Sequence, residues 1–130
     1  MKIINPADFP PARGYSNGIL VPQTQTLYVA GQIGRESDGS FASDDMAHQF
    51  GRALDHVIAV VAAAGGSPRQ IAEMTVYVTD VAAYRDARSE LGRIWRERFG
   101  QYYPAMTLVE VRALVEPRAR VEIRAVAVLV

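Results

Sequence analysis

The C-terminal stretch YYPAMTLVEVRALVEPRARVEIRAVAVLV, Tyr102 to Val130, contains two segments in which apolar residues alternate with polar or charged ones. Successive side chains of a β-strand point to opposite faces of a sheet, so this period of two predicts strands over 107–114 and 120–129. The connection between them, VEPRA, is short enough to predict a β-hairpin. One face of each strand is expected to be apolar. That face comprises Val109, Val111, Ala113, Val121, Ile123, Ala125 and Ala127.

The opposite face of these strands is expected to carry Glu110, Arg112, Glu122 and Arg124. One interpretation is a set of cross-strand ion pairs that face water, each worth little in stability. The other is that a second copy of the chain covers this face and leaves a cleft in which a carboxylate works as an acid or base. The apolar terminus AVAVLV needs more cover than two helices provide, which favours oligomerisation.

Two earlier segments have helical period. In the first, Ser43 is expected to cap the N-terminus, and Gly65 and Gly66 to end the helix. The second starts after Asp80 and ends at Gly100, and its apolar side chains lie on or near one face: Tyr84, Ala87, Leu91, Ile94, Trp95 and Phe99. Its outer face carries Arg85, Arg93, Arg96 and Arg98, a pattern that favours a solvated surface over a binding patch. With further strands expected over 19–21, 27–30 and 74–79, two helices alternate with five or six strands in one domain spanning 1–130.

Composition excludes several classes of protein. Apolar residues make up 49% of the chain, and 14 basic residues balance 14 acidic ones, which is typical of a soluble globular protein and not of a general nucleic-acid binder. The longest strongly apolar run, 57–64, is too short to span a membrane. With no cysteine and no signal peptide at the N-terminus, a cytoplasmic location is expected.

No pattern indicates a metal or organic cofactor, and none is expected. His48 and His56 lie eight residues apart on one helix, about 12 Å along its axis, too far to share a metal within one chain. The glycine-bearing AGQIGRESDG lacks the lysine and the following helix of a phosphate loop. Because the only lysine is Lys2, near the N-terminus, a buried Schiff-base lysine is also excluded.

Five segments in order resemble one family over essentially the whole chain: ARGYSNG (12–18), YVAGQIG (28–34), AAAGGSPRQIAEMTVYVTD (62–80), YPAMTLVEV (103–111) and VEIRAVAV (121–128). The set is similar to the RidA/YjgF family, also called the endoribonuclease L-PSP family. The resemblance implies an α+β, chorismate-mutase-like fold with a mixed six-stranded sheet packed against two helices. It also implies a homotrimer with clefts between subunits.

Active members of that family hydrolyse enamines and imines, such as 2-aminoacrylate, to keto acids and ammonia. An arginine holds the substrate carboxylate, a water attacks the imine carbon, and an acid or base moves protons. The resemblance makes Glu122 and Tyr15 the catalytic candidates. It implies that the substrate contacts a second group of residues: Ala30, Gly31, Gln32, Arg88, Met106 and Thr107.

The chain departs from the family pattern at the carboxylate anchor. The family's PAR is here Pro104-Ala105-Met106, and a flexible thioether cannot pair with a carboxylate. Ala30 stands where many members have serine, and Arg88 stands where asparagine is common. Arg88 either supplies the missing charge from another direction or is an ordinary solvated helix residue.

Two hypotheses of function follow. In the first, the protein is a hydrolase for an imine, enamine or related small carbonyl compound, with the standard 2-aminoacrylate deaminase activity doubtful. In the second, it is a non-catalytic trimer that binds a small ligand. A ribonuclease activity, attached to some relatives, is disfavoured because the net charge is zero and a catalytic histidine pair is absent.

Overall fold

The computed structural model describes residues 1–129; Val130, the last residue of the expected apolar terminus, lies outside them. Six strands form: β1 (Lys2–Ile4), β2 (Gly18–Leu20), β3 (Gln25–Ile33), β4 (Ile71–Val78), β5 (Ala105–Glu110) and β6 (Val121–Leu129). Three helices accompany them, α1 (Met46–Ala63), α2 (Val81–Asp86) and α3 (Arg88–Phe99), together with a short 3₁₀ turn at Pro68–Gln70. The α+β class expected from the sequence is confirmed.

The six strands divide between two sheets. β3, β6, β4 and β5 form a mixed sheet in that order, whereas β1 and β2 form a separate antiparallel pair. β4 and β5 are parallel, joined by a crossover through α2 and α3, and the other pairs in the mixed sheet are antiparallel. The predicted β5–β6 hairpin is therefore wrong, because β4 lies between these two strands. The alternation of side chains identified both strands but carried no information about their neighbours.

The helices cover one face of the mixed sheet. β6 alternates as expected and β4 alternates as well, and the helix-facing side chains of both strands are buried beneath the apolar face of α1. α1 begins two residues later than predicted: Asp45 and not Ser43 is the cap, and the Asp45 carboxylate accepts a hydrogen bond from the His48 amide at 3.0 Å. The resulting core contains residues from α1, β4, α3 and β6, among them Phe50, Leu54, Val57, Met74, Val76, Leu91, Trp95, Val121 and Ile123.

The second helical segment is broken at Ala87 and does not run continuously from 81 to 99. The Ala87 amide is shared between the carbonyls of Ala83 and Tyr84, at 3.1 and 3.2 Å, as is common where a helix ends. Its outer face is only partly solvated. Arg98 is partly buried and pairs with Asp55 of α1 at 2.7 Å.

β5 faces the other way from the prediction. Leu108 packs against the core, and Val109 is 40% exposed on the far side. Glu110 therefore lies on the helix side, where its carboxylate accepts a hydrogen bond from the Val81 amide at the start of α2, at 2.9 Å. Glu110 remains exposed there, since β5 is an edge strand, and its carboxylate satisfies one of the free amides at the helix N-terminus.

The expected set of cross-strand ion pairs does not form as predicted. Arg124 pairs with Glu73 of β4 at 2.9 Å, and Arg112 follows the end of β5 in the connection to β6. Glu122 is the member of the set that remains on the open sheet face without an ion pair among residues 1–129. The open face thus carries charge, but the ion pair that Arg124 forms is with β4 and not with β5.

Candidate functional site

A cavity of about 310 Å³ lies between α3, the start of β5 and the loop at Arg13 and Gly14. Gly92 forms part of its wall. Because glycine has no side chain, it leaves the surface of α3 open at this point. Four aromatic rings line the cavity, from Phe50, Tyr84, Trp95 and Tyr103. We call it the arginine cavity, after the three arginines described below.

Three guanidinium groups line the arginine cavity: those of Arg13, Arg88 and Arg96. Arg88 and Arg96 share a face of α3 because they are eight residues, slightly more than two turns, apart. None of the three forms an ion pair with a carboxylate within the part of the chain that the structure describes. The cavity wall therefore has an uncompensated positive charge.

Tyr84 lies close enough to Arg88 for the guanidinium to affect the pKa of its phenol. Burial raises the pKa of the Tyr84 phenol above its ordinary value, and the positive charge of Arg88 acts in the opposite direction. The Tyr84 ring also meets Phe50 edge to face, with centroids 6.2 Å apart. Arg88 thus faces a packed aromatic wall.

Met106 is on the wall of the same cavity. In the parallel register it pairs with Met74, which is fully buried, so Met106 lies on the helix side of the sheet and packs against the core. Met106, which stands at the position of the lost anchor, and Arg88, which was considered as its replacement, thus line the same cavity. The thioether offers no charge to a ligand, and the guanidinium does.

Tyr15 lies at the edge of this region. Gly14, which lines the cavity, has a positive φ of 74°, a conformation that glycine adopts without strain. Tyr15 follows it and is 38% exposed. The next residue, Ser16, bridges in parallel to Ala105, and its amide donates to the Pro104 carbonyl at 2.9 Å. This bridge fixes Tyr15 beside the start of β5.

Glu122 lies on the open face of the sheet, opposite Tyr77 of β4 and Ile33 of β3. β3 has a bulge between Val29 and Gln32, and Gly31 lies within it. A Cβ placed on Gly31 would come within 2.7 Å of the Glu122 Cδ, so only glycine leaves room for this carboxylate side chain. Gly31 and Glu122 are therefore in contact.

The other three predicted residues lie nearby or on the same face. Ala30 is exposed in the bulge, and its carbonyl accepts a hydrogen bond from the Gln32 side-chain amide at 3.1 Å. Thr107 is exposed and pairs in register with Thr75, so it lies on the open face with Glu122.

The predicted site residues thus form two groups on opposite faces of one sheet. Met106 and Arg88 lie on the helix side, whereas Glu122 and Gly31 lie on the open side. A small molecule bound to one chain cannot touch both groups, because the sheet separates them.

No group of three or more His, Cys, Asp or Glu side chains that could hold a metal ion occurs within residues 1–129. His48 lies 3.4 Å from the Glu36 carboxylate, and the His56 ring is 2.6 Å from the Arg35 carbonyl oxygen. Over the same described range, no helix has the length and apolar character needed to cross a bilayer.

Residues 6–129 match the family model for endoribonuclease L-PSP. The chain belongs to the RidA/YjgF family. A RutC family protein from Pyrococcus abyssi is 30% identical over 105 residues, which cover 80% of this chain and 78% of that relative.

Solved structures of the family have the same fold. The Rid family protein YyfB of Yersinia pestis, described as of unknown function, superposes with a TM-score of 0.89 at 25% identity and covers 98% of both chains. Escherichia coli TdcF with bound serine superposes with a TM-score of 0.71 at 29% identity, over the full length of both chains.

Sequence reasoning missed part of the arginine cavity. Arg96 was assigned to a solvated face, and Arg13 and Tyr103 were not considered. Gly92 was the available signal: a glycine within an arginine-rich helix removes a side chain between Arg88 and Arg96. The loop of Arg13 could not be placed from sequence, because its contact with β5 spans most of the chain.

Proposed function

We propose that the protein is a RidA-like hydrolase that converts an imine, enamine or related small carbonyl compound, at a site completed by a second copy of the chain. The observation that carries this proposal is the separation of the two groups of site residues. If Glu122 and the arginine cavity act on one molecule, the two must come from different copies. The homotrimer implied by the family resemblance supplies such an arrangement.

In the proposed reaction, Glu122 accepts a proton from a water molecule while that water attacks the carbon of the C=N bond. The resulting carbinolamine loses ammonia after its nitrogen receives a proton, and the C–O bond becomes a carbonyl. One water enters and one ammonia leaves, so no oxidant or reductant is needed. The Tyr15 hydroxyl is proposed to orient the water or the nitrogen.

The bulge in β3 supports this role for Glu122. Gly31 leaves space for the carboxylate beside exposed backbone, and no cation within residues 1–129 pairs with it. A carboxylate held this way is available to a ligand instead of being neutralised inside the fold. E. coli TdcF, a protein of the same fold, was solved with bound serine, which supports the proposal that this chain binds a small molecule.

Met106 favours the second candidate function, a trimer that binds a small ligand without catalysis. Without the family arginine, a small imino acid such as 2-aminoacrylate loses its carboxylate anchor. We therefore propose that activity towards 2-aminoacrylate is low in the wild-type protein.

The proposal is tested by measuring ammonia release from a panel of imines, with and without a carboxylate, for the wild type and Glu122→Gln. At least one imine should be hydrolysed, and Glu122→Gln should lower the rate by about 100- to 10,000-fold, the usual contribution of general acid–base catalysis. Light scattering on the same samples should give a trimer mass. Hydrolysis of no imine by the folded trimer would leave the ligand-binding function; unaltered hydrolysis by Glu122→Gln would exclude the proposed mechanism.

A further inference from the structure

We propose that the arginine cavity binds an aromatic dianion, a planar ring that bears two anionic groups. This names the ligand class of the proposed site, and rests on the proposed function only for the assumption that the cavity is part of that site. The evidence is the charge, the aromatic wall and the size of the cavity.

The charge of the wall sets the charge of the ligand. Arg13, Arg88 and Arg96 all line the cavity, and no carboxylate within residues 1–129 forms an ion pair with any of them. Arginine binds carboxylate and phosphate groups through two parallel hydrogen bonds. A single carboxylate would leave most of this charge unbalanced, whereas two anionic groups can engage separate guanidiniums.

The aromatic wall favours a ring over an aliphatic chain. Trp95 is nearly parallel to Tyr103, with centroids 6.0 Å apart and planes at 4°, and nearly parallel to Phe99, at 4.1 Å and 12°. Trp95 and Tyr103 line the cavity. Trp95 is only 7% exposed and already stacked, so a ligand ring would lie against the partly buried Tyr84 or Tyr103. Offset stacking on such rings adds binding energy beyond the area that is buried.

The space is made by Gly92. A Cβ there would lie 3.2 Å from an Arg96 guanidinium nitrogen, so Arg96 folds over this glycine. The volume of about 310 Å³ is at the lower end of small-molecule sites, which suits one substituted ring. A 2-aminoacrylate molecule has neither the ring nor the second charge.

Trp95 provides a direct assay, because it is the only tryptophan in the chain and lines the cavity. We would titrate the full-length protein with isophthalate, benzoate and the aliphatic dianion glutarate, following Trp95 fluorescence and the heat of binding. Isophthalate should bind at least about tenfold more tightly than either of the others, since each lacks one of the two features. Its affinity should fall as salt is added.

Variants locate the binding. Arg88→Gln and Arg96→Gln should each weaken isophthalate binding by about tenfold, the loss of one charge-assisted pair. Arg85→Gln is the matched control, because Arg85 is exposed on α2 and does not line the cavity. Gly92→Leu should fill the cavity and abolish binding; circular dichroism would check that it folds, and the glutamine variants serve if it does not.

Phenyl phosphate, which carries its two charges on one group, tests whether two separate anionic groups are needed: isophthalate should bind more tightly than phenyl phosphate, benzoate and glutarate. No binding of isophthalate, binding of phenyl phosphate as tight as that of isophthalate, or equal losses in Arg85→Gln and Arg88→Gln, would overturn the inference. The binding test and the test of imine hydrolysis can fail independently of each other. Binding without imine hydrolysis would refute the proposed reaction alone, and hydrolysis of uncharged imines without dianion binding would refute this inference alone.

Discussion

Replacing Met106 by arginine should restore activity towards 2-aminoacrylate, if the missing anchor is what limits the wild-type protein. Met106 is partly buried on the cavity wall, so the new guanidinium would enter the arginine cavity. A charge-assisted pair with the substrate carboxylate contributes about 1.5 to 3 kcal/mol. If it is felt in the transition state, kcat/KM should rise by about 10- to 100-fold.

The same substitution should lower the stability of the free protein. A cavity of about 310 Å³ is about 8 Å across, and the arginines that line it are exposed, so two guanidiniums at that separation repel by about 0.5 to 2 kcal/mol for effective dielectric constants of about 80 to 20. Part of this repulsion should be removed in Met106→Arg/Arg88→Asn, which keeps the anchor and removes one of the competing charges. That double variant should have a higher Tm than Met106→Arg and at least equal activity.

The assay measures keto-acid release from 2-aminoacrylate generated in situ. Met106→Leu is the apolar control and should leave the low wild-type rate unchanged, whereas Met106→Lys should give a smaller gain because an ammonium lacks the planar fork of arginine. Adding Glu122→Ala to Met106→Arg should remove the gain. High wild-type activity would refute the role given to Met106; a folded, trimeric but inert Met106→Arg would show that Ala30 or Arg88 has reshaped the site further.

Three further predictions concern the supporting structure. Gly31→Ala should displace the Glu122 side chain with little loss of stability, and a shift of about 1 Å should lower imine hydrolysis by about 100-fold; unchanged rates would contradict the contact seen at the bulge. Gly34→Ala places a Cβ 2.6 Å from the Cα of Gln49, so backbone must move and urea unfolding should show a loss of about 1 to 3 kcal/mol or more. Burial raises the pKa of Tyr102 to about 12, so the contribution of its neutral phenol to stability is complete below pH ~10 and is lost as the pH rises towards 12. Tyr102→Phe should flatten the fall in unfolding free energy over that range. An equally steep fall in the variant would refute this.

The spacing of apolar residues along the sequence was sufficient to predict most of the helices and strands. The period-two alternation of β6 and the spacing of Leu91, Ile94, Trp95 and Phe99 on α3 correctly predicted which side chains are buried. β1 was missed because its three residues are exposed and carry no alternation. Strand order was also beyond the pattern, since the position of β4 between β5 and β6 depends on the crossover through α2 and α3.

The orientation of β5 shows why a charged residue can mislead a prediction of which face of a sheet is open. Glu110 looked like an open-face residue by its chemistry, yet a backbone amide at the start of α2 satisfies its carboxylate on the helix side. For the candidate site, the resemblance named Gly31, Glu122, Met106 and Arg88, whose roles stay predictions. The structure places Gly31 beside Glu122, and Met106 and Arg88 on the wall of one cavity. The resemblance could not show that the two pairs lie on opposite faces, which required the register of β4 with both of its neighbours.

Cross-linking tests most directly whether the site is completed between copies. The chain has no cysteine, so only introduced thiols can react. Proteins carrying Met106→Cys or Glu122→Cys would be mixed, allowed to exchange subunits and treated with a short bis-maleimide. The account predicts a covalent dimer that contains one chain of each kind, because the two positions of neighbouring copies face one cleft. A stable trimer that yields no such dimer, while each thiol still reacts with a monofunctional maleimide, would contradict it.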